Sequence, residues 1–340
     1  MEHNVVQAQK YMNKIISITL IALLFALGFS VEAQQPARIH RIGVLNATSA
    51  ASMASRMELF RQGLRDLGYV EGRNLVVEYR YADGKLNRLP DLAAELVRLD
   101  VAVIVAGGGQ SIRAAKSATN TIPIVMTQVV DPMDFVASLA KPGGNITGLS
   151  AQQAELGGKR LELLKEMVPR LSRVAVLETR GGRDSIDGPE MREIRAAGRA
   201  MSLQPQSVEM PRSAGLNDLE KAFAAISKEQ ANGVIGLSSP EFSLHRRRIA
   251  ELAIKHRLPS AYRDSEFPDA GGLMSYGAQY ADLYRRAAVY VDKILKGTKP
   301  ADLRVGQPMK FEFVINLRTA KLIGLAIPPN VLARGDRVIR

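Results

Sequence analysis

Polar residues recur along the chain just after short apolar segments, and their types suit the binding of a small polar molecule. Hydroxyl, amide and glycine residues present hydroxyls, amides and open backbone N–H groups, which bind carboxylate or phosphate oxygens. One such contact at a helix N-terminus contributes about 0.3–1 kcal/mol. Several that converge in a closed cleft reach about 8 kcal/mol, or micromolar affinity. The candidate ligand-binding residues are Asn46, Ser49, Gly108, Gln110, Ser111, Gln128, Asp131, Glu178, Arg180, Ser238, Ser239, Tyr262 and Tyr276.

Some of these candidates carry a second interpretation. Asp131 precedes Pro132 at the start of a predicted helix, so it either caps that helix or contacts the ligand. Arg180 either pairs with a ligand carboxylate or is an ordinary exposed loop residue. Tyr262 or Tyr276 is the candidate for stacking on the ligand.

Catalytic motifs are missing from the sequence, which contains no Gly-x-Ser-x-Gly, Gly-x-x-x-x-Gly-Lys-Ser/Thr or His-Glu-x-x-His pattern. His245 and His256 are eleven residues apart, a spacing that does not make a metal pair, and His40 starts the first strand, away from the ligand loops. The carboxylates Asp264 and Glu266 have no nucleophile beside them. We therefore expect no enzyme activity, no cofactor and no metal.

Three consecutive glycines, residues 107–109, lie between an apolar segment and a helical one. The dinucleotide-binding pattern Gly-x-Gly-x-x-Gly fails there, because Ile112 occupies its third glycine position. We interpret the segment as a tight turn that lets a ligand approach the backbone at Gln110 and Ser111.

Apolar segments of strand length alternate with segments of helical periodicity over most of the chain. Strands are predicted at residues 39–45, 75–79, 101–106, 122–130, 146–150, 174–177, 207–210, 234–237, 260–262, 273–276 and 311–315. Helices are predicted at residues 53–67, 89–97, from 110, 133–140, 156–167, 189–201, 216–227, 245–256 and 280–296.

This alternation predicts an α/β fold in which helices cover both faces of parallel sheets. Two such series, separated by a glycine-rich break at residues 142–144, predict two doubly wound lobes. Ligands bind beyond the carboxyl ends of parallel strands, which is where the polar loops fall.

The first residues have the pattern of an export signal. Residues 15–29 are almost wholly apolar, Lys14 precedes them, and Ala33 ends a Val-Glu-Ala segment. We expect a signal peptide over residues 1–33, with Met1 or Met12 as the start and cleavage after Ala33. The alternative is an uncleaved anchor, but the apolar segment is short for a span of about twenty residues.

The chain has no cysteine, which excludes disulfides, thiol catalysis and anchoring through a lipidated cysteine. A free periplasmic protein is the expected product. Its net charge is +12, but the charges are scattered apart from residues 245–248. We interpret that basic run as a solvated helix face rather than a nucleic-acid site.

An ordered set of motifs resembles the substrate-binding proteins of ABC importers, in the group that includes the tryptophan and tyrosine binders. The motifs are residues 68–74 (GYVEGRN), 121–125 (TIPIV), 131–132 (DP), 141–148 (KPGGNITG), 271–277 (GGLMSYG), 294–297 (ILKG) and 311–329. The resemblance spans almost the whole chain beyond the signal.

The resemblance implies a type I periplasmic-binding-protein fold, in which three crossing strands join the lobes and hinge closure traps the ligand. It places the crossings near residues 145–150, 275–279 and 305–309. The lobes are then residues 39–147 plus 277–306 and residues 148–276 plus 307–340. The loops after residues 131 and 178 and at residues 109–111 depart from the family pattern, so its aromatic specificity is not carried over.

We therefore predict the periplasmic substrate-binding component of an ABC importer. It would act as a monomer, capture a small polar solute (an amino acid or similar) and deliver it to a permease in the inner membrane, with no nucleic-acid partner. The alternative is a periplasmic sensor that signals to a membrane receptor. An enzyme would need a nucleophile or a cofactor loop, and a cytoplasmic regulator would need DNA-binding helices before residue 39.

Overall fold

The computed structural model describes residue 12 and residues 39–151, 155–180, 188–211, 215–237 and 239–340. The predicted signal peptide lies outside the described residues, apart from Met12. His40–Arg340 forms one compact unit. Within the described residues, no helix combines the length and the apolar character needed to cross a membrane.

Lobe 1 is built on a parallel sheet of five strands in the order β2-β1-β3-β4-β5. Its strands are β1 (His40–Asn46), β2 (Leu75–Tyr81), β3 (Ile104–Gly107), β4 (Ile124–Val129) and β5 (Ile146–Ser150). Its helices are α1 (Ala50–Asp66), α2 (Leu89–Arg98) and α3 (Gly108–Ala118), with short 3-10 turns at Leu86–Arg88 and Pro132–Asp134.

Lobe 2 is built on a sheet of seven strands in the order β12-β11-β10-β9-β8-β6-β7. Its strands are β6 (Arg173–Thr179), β7 (Gln204–Met210), β8 (Gly233–Gly236), β9 (Ser260–Tyr262), β10 (Met274–Ala278), β11 (Phe311–Asn316) and β12 (Arg337–Ile339). All its neighbouring pairs are parallel except β10 with β11.

Helices cover the second sheet as they do the first. They are α4 (Leu156–Met167), α5 (Pro189–Ala200), α6 (Leu216–Lys228), α7 (Pro240–Leu244), α8 (Arg246–Lys255), α9 (Glu266–Asp269), α11 (Leu317–Leu322) and α12 (Pro329–Leu332). The long helix α10 (Tyr280–Leu295) follows β10 but packs in lobe 1, and a 3-10 turn follows it at Pro300–Asp302.

The alternation of side chains along β1 explains why helices lie on both faces of its sheet. Ile42 and Val44 enter a buried cluster with Phe60 of α1 and Tyr284 of α10. Leu45, on the opposite face, enters a second cluster that is covered by α2 and α3. Both faces of the strand are therefore apolar, as in other buried parallel sheets.

The chain passes between the lobes three times. The first passage follows β5, the second follows β10, and the third precedes β11. The second and third run side by side, because the backbone N–H of Gln279 donates to the carbonyl of Lys310 over 3.0 Å. The predicted α/β fold with two parallel-sheet lobes is confirmed, while the predicted limits of the lobes stay a prediction.

One predicted helix, residues 133–140, is wrong. The structure has a single 3-10 turn there, Pro132–Asp134, followed by non-helical chain. The backbone N–H of Ala137 donates forward to the carbonyl of Pro142 over 3.0 Å, and the Ser138 hydroxyl donates to the carbonyl of Lys141. These bonds to the following proline-glycine turn replace the helical ones.

The second passage contains a close backbone approach that only glycine permits. A Cβ on Gly277 of β10 would overlap the carbonyl oxygen of Arg263, which follows β9. We expect Gly277→Ala to destabilise the protein by about 1–3 kcal/mol, because neither backbone segment is free to move aside. Thermal unfolding of the purified variant measures the loss.

The matched control is Gly144→Ala, since a Cβ there meets nothing within 4 Å. That variant should unfold at the parent temperature or slightly above it. Equal effects of the two substitutions would contradict the explanation from backbone contact.

Candidate functional site

A cavity of about 720 Å³ lies between the lobes, where loops at the carboxyl ends of the strands from both sheets face each other. Lobe 1 contributes most of its wall, from the segments that follow β1, β3 and β4. The polar residues of that wall are Asn46, Thr48, Arg56, Gln110, Arg113, Ser117, Gln128, Asp131, Asp134 and Tyr280. Lobe 2 contributes Thr179, Ser239, Pro240, Ser243, Arg263 and Asp264.

Asn46, the last residue of β1, is held in a fixed orientation. Its Oδ1 accepts from the backbone N–H of Thr48 over 3.2 Å and from the Thr48 hydroxyl over 2.9 Å. The amide nitrogen Nδ2 consequently lies against Gly107, where any Cβ would overlap it. The end of β3 is therefore glycine because a neighbouring site residue fills the space of a side chain.

Helix α3 begins at the cavity with an uncapped N-terminus. Gly108 is its first residue, with φ +77°, and the N-cap residue Gly107 has no side chain that could cap the first turn. Gly108, Gly109 and Gln110 all line the cavity, and Arg113 follows on the same face with its guanidinium 5.6 Å from the centre of the Phe135 ring. The helix dipole and Arg113 make this wall positive, so it suits an anionic group.

Gln128, near the end of β4, lies on the same wall in a strained backbone conformation. Its φ of +56° lies in the left-handed region, which costs a residue with a side chain about 1–3 kcal/mol. The irregular pairing of β4 with β5 falls between Met126 and Val129 and so includes this position. Such strain at a cavity wall is typical of a residue held for binding.

Asp131 caps the turn that follows it, while its contact with a ligand stays a prediction. Its carboxylate accepts from the backbone N–H of Met133 over 2.9 Å, which caps the 3-10 turn, and the residue also lines the cavity. Asp134 lies on the wall nearby. Carboxylates are therefore present beside the positive end of α3.

The lobes meet directly at Arg56, which belongs to α1 and also lines the cavity. Its Nε lies 2.7 Å from Glu266 Oε1, and its Nη2 lies 3.7 Å from Asp264 Oδ2. The guanidinium also stacks on the ring of Tyr280, 4.3 Å from its centre. Burial lowers the pKa of Arg56, but the charges of Glu266 and Asp264 outweigh this effect and hold the pKa above its ordinary value.

Six of the residues predicted from the sequence line the cavity. They are Asn46, Gly108, Gln110, Gln128, Asp131 and Ser239. Two others do not line the cavity: Ser49 caps α1 by accepting from the backbone N–H of Ser52, and Ser111 is fully buried. Ser238 lies outside the described residues.

Four predicted residues of lobe 2 do not reach the cavity wall. Glu178 is fully buried and accepts from the Ser207 hydroxyl. Arg180 is 78% exposed, and its Nε lies 3.1 Å from Glu209 Oε2. Both side chains therefore contact β7, which neighbours β6 in the sheet.

The two tyrosines proposed for stacking on the ligand belong instead to the packing of lobe 2. Tyr262 is buried, its ring stacks on Phe267 with centres 4.3 Å apart, and burial raises the pKa of its hydroxyl to about 12. Tyr276 packs against Phe311 and Phe313. Among the described residues, the aromatic side chains that line the cavity are those of Phe135 and Tyr280.

The sequence reasoning missed Arg56, Arg113, Arg263 and Tyr280. Arg113 lies three residues after Gln110 on a helix that starts at the site, so helical spacing was a sufficient signal. Arg56 lies on α1, three residues after Met53 of the cavity wall, and it pairs with Glu266 of the other lobe.

A profile of the family described as ABC transporter substrate binding protein matches residues 41–339. The chain belongs to this family. The match includes both sheets and every described residue of the cavity wall. Proteins of this family bind substrates and are not enzymes, which confirms the prediction made from the sequence.

Relatives of the family support the same assignment. A tyrosine-binding protein of Clostridioides difficile is 24% identical over 295 residues, which cover 84% of this chain and 81% of the relative. Among solved structures, a conserved domain protein of Vibrio cholerae superposes with a TM-score of 0.82 at 26% identity, covering 88% of this chain and all of the other.

A second solved structure is an ABC domain of Streptococcus pneumoniae in complex with L-Trp. It superposes with a TM-score of 0.79 at 22% identity, again over 88% of this chain and 100% of the other. These likenesses confirm the type I periplasmic-binding-protein fold.

Replacing Gln128 by glycine separates backbone strain from binding. We expect Gln128→Gly to raise the melting temperature, because glycine adopts a positive φ without strain. We expect the parent protein to retain a small molecule through purification and the variant to lose it, which native mass spectrometry detects.

Ser202→Gly is the matched control, since Ser202 is exposed, has φ +55° and lies outside the cavity wall. It should also raise the melting temperature but keep the retained ligand. Loss of the ligand from both variants, or from neither, would contradict the role of Gln128.

Proposed function

We propose that this protein is the periplasmic substrate-binding component of an ABC importer and that it captures a small polar solute, an amino acid or a similar molecule, between its lobes. The observation that carries the proposal is the cavity between the lobes, whose wall holds both positive and negative groups. Capture between two lobes buries most of a small ligand, and several modest polar contacts then add up to useful affinity.

A zwitterion fits the distribution of charge on the wall. The N-terminus of α3 and Arg113 present positive charge in lobe 1, where a carboxylate would bind. Asp131 and Asp134 in lobe 1 and Asp264 in lobe 2 present carboxylates, one of which would take an ammonium group. The tyrosine-binding relative and the L-Trp complex agree with this chemistry.

The apolar part of the wall sets the rest of the specificity. Met53, Leu86, Leu89, Phe135 and the ring of Tyr280 line the same cavity, so a side chain with apolar character would be accommodated there. At about 720 Å³, the cavity falls within the range of ordinary small-molecule sites, about 300–1,000 Å³. We infer a solute with a charged amino-acid-like head and a partly apolar remainder.

The family and the sequence support a proposal for the location and the partner. We infer export by the signal over residues 1–33, release as a free monomer in the periplasm because no cysteine is present for lipid attachment, and delivery to a permease in the inner membrane.

A thermal-shift screen tests the proposal. Because a ligand that binds only the folded state stabilises it, a solute at a hundred times its Kd adds about 2.7 kcal/mol and raises the melting temperature. The panel comprises amino acids, small acids, sugars and nucleosides, and we expect the response among amino acids. If none of these classes shifts the melting temperature and native mass spectrometry finds no retained small molecule, the proposal fails.

A pair of glutamine variants ties the response to the cavity. Gln110→Ala should need about tenfold more ligand, or still more, to reach the same shift in melting temperature. The reason is that the substitution removes an amide at the positive end of α3. Gln204→Ala, at an exposed position on β7, should respond as the parent does. An equal loss in both variants would assign the effect to something other than the cavity.

A further inference from the structure

Four charged side chains join the two lobes beside the cavity. We name them the interlobe cluster: Arg56 of α1 in lobe 1, and Arg246, Asp264 and Glu266 of lobe 2. Glu266 lies between the two arginines, with Oε1 2.7 Å from Arg56 Nε and Oε2 3.7 Å from Arg246 Nη1. Asp264 Oδ2 lies 3.7 Å from Arg56 Nη2, so two positive and two negative charges balance.

The interlobe cluster is mostly removed from water while the lobes are in contact. The side chains of Arg56 and Asp264 are each 8% exposed, and that of Glu266 is 18% exposed. Taking one partner out of such a cluster leaves its counter-charge buried and unpaired, which is costly. Separation of the lobes relieves that cost, because water then reaches the remaining charge. A change in the cluster therefore acts on the balance between contact and separation of the lobes, not on the folding of either lobe.

The position of the interlobe cluster connects the contact between the lobes to the binding of the ligand. Arg56 and Asp264 are also part of the cavity wall, and the Arg56 guanidinium stacks on Tyr280, which begins α10 just after the second passage between the lobes. One arginine thus contacts the opposite lobe, the cavity and the start of the helix that leaves the hinge.

We propose that the interlobe cluster is an electrostatic latch that holds the lobes together over the bound solute, with Arg56 as the positioning residue on which it depends. The part that concerns the solute rests on the proposed function, whereas the part that concerns the contact between the lobes does not. The latch shifts the closing equilibrium toward the closed state before a ligand arrives and slows the escape of a ligand once it has bound.

Distance measurements between labelled lobes test the latch directly. Asn87 in lobe 1 and Lys221 in lobe 2 are both exposed, so each can be replaced by cysteine and labelled. The chain has no native cysteine, so no other thiol reacts with the labels. We expect Arg56→Gln to shift the ligand-free distances toward wider separation and to weaken the binding of the solute found in the screen about tenfold or more. Its melting temperature without ligand should stay close to that of the parent.

Arg61→Gln is the matched control, because Arg61 lies on the same helix but pairs with Glu58 of that helix over 2.9 Å. It should keep the parent distances and affinity. Glu266→Gln attacks the latch from lobe 2 and should widen the distances as Arg56→Gln does. The double variant should be no worse than the more damaged single variant, because the two residues act on one contact.

The outcomes separate the latch from the proposed function. Parent-like distances in both Arg56→Gln and Glu266→Gln would overturn the latch, and a loss of affinity alongside unchanged distances would make Arg56 a plain ligand contact. Wider distances in a protein that responds to none of the screened solutes would keep the latch while the proposed function fails.

Discussion

Parallel pairing of the strands is the constraint on which the site depends. Parallel strands need a crossover between them, and in this chain the crossovers are helices that cover both faces of each sheet. The faces are thereby closed to a ligand, and the open polar edge lies beyond the carboxyl ends of the strands. Asn46, Gly107 and Gln128 all fall at such ends, which explains why residues far apart in sequence share one wall.

The three passages hold the two lobes so that the carboxyl ends of their strands face each other across a cleft. Helix α10 follows a strand of lobe 2 but buries Tyr284 and Ala288 against α1 in lobe 1, so the hinge is fixed on both sides by buried packing. The hydrogen bond from Gln279 to Lys310 joins the second and third passages, and Gly277 lets β10 approach Arg263 closely. Such contacts agree with the hinge rotation that the proposed function requires.

The sequence predicted this architecture well, because the apolar positions that repeat along the chain are the ones buried in the strands and under the helices. It predicted the site in part. Asn46, Gly108, Gln110 and Gln128 were found because they directly follow or end buried strands of lobe 1. Tyr262, at the end of a predicted strand, and Tyr276 were proposed as rings that stack on the ligand, but their rings pack in the core of lobe 2. The helix predicted at residues 133–140 did not form, because its backbone bonds forward to the following turn, a competition that periodicity does not record.

Arg56 is a residue of the cavity wall that no local feature of the sequence predicts. It lies 210 residues from Glu266, on a helix whose other arginines pair within that helix, so nothing local distinguishes it. Its role arises from mutual compensation: a single buried charge is costly, whereas two guanidiniums and two carboxylates brought together from opposite lobes are neutral as a set. Partial approach of the lobes would remove water from some of these charges before their partners arrive. We therefore expect closure of the proposed latch to be all-or-none, so that the groups on the cavity wall reach their places together and a ligand meets either an open cleft or a complete site.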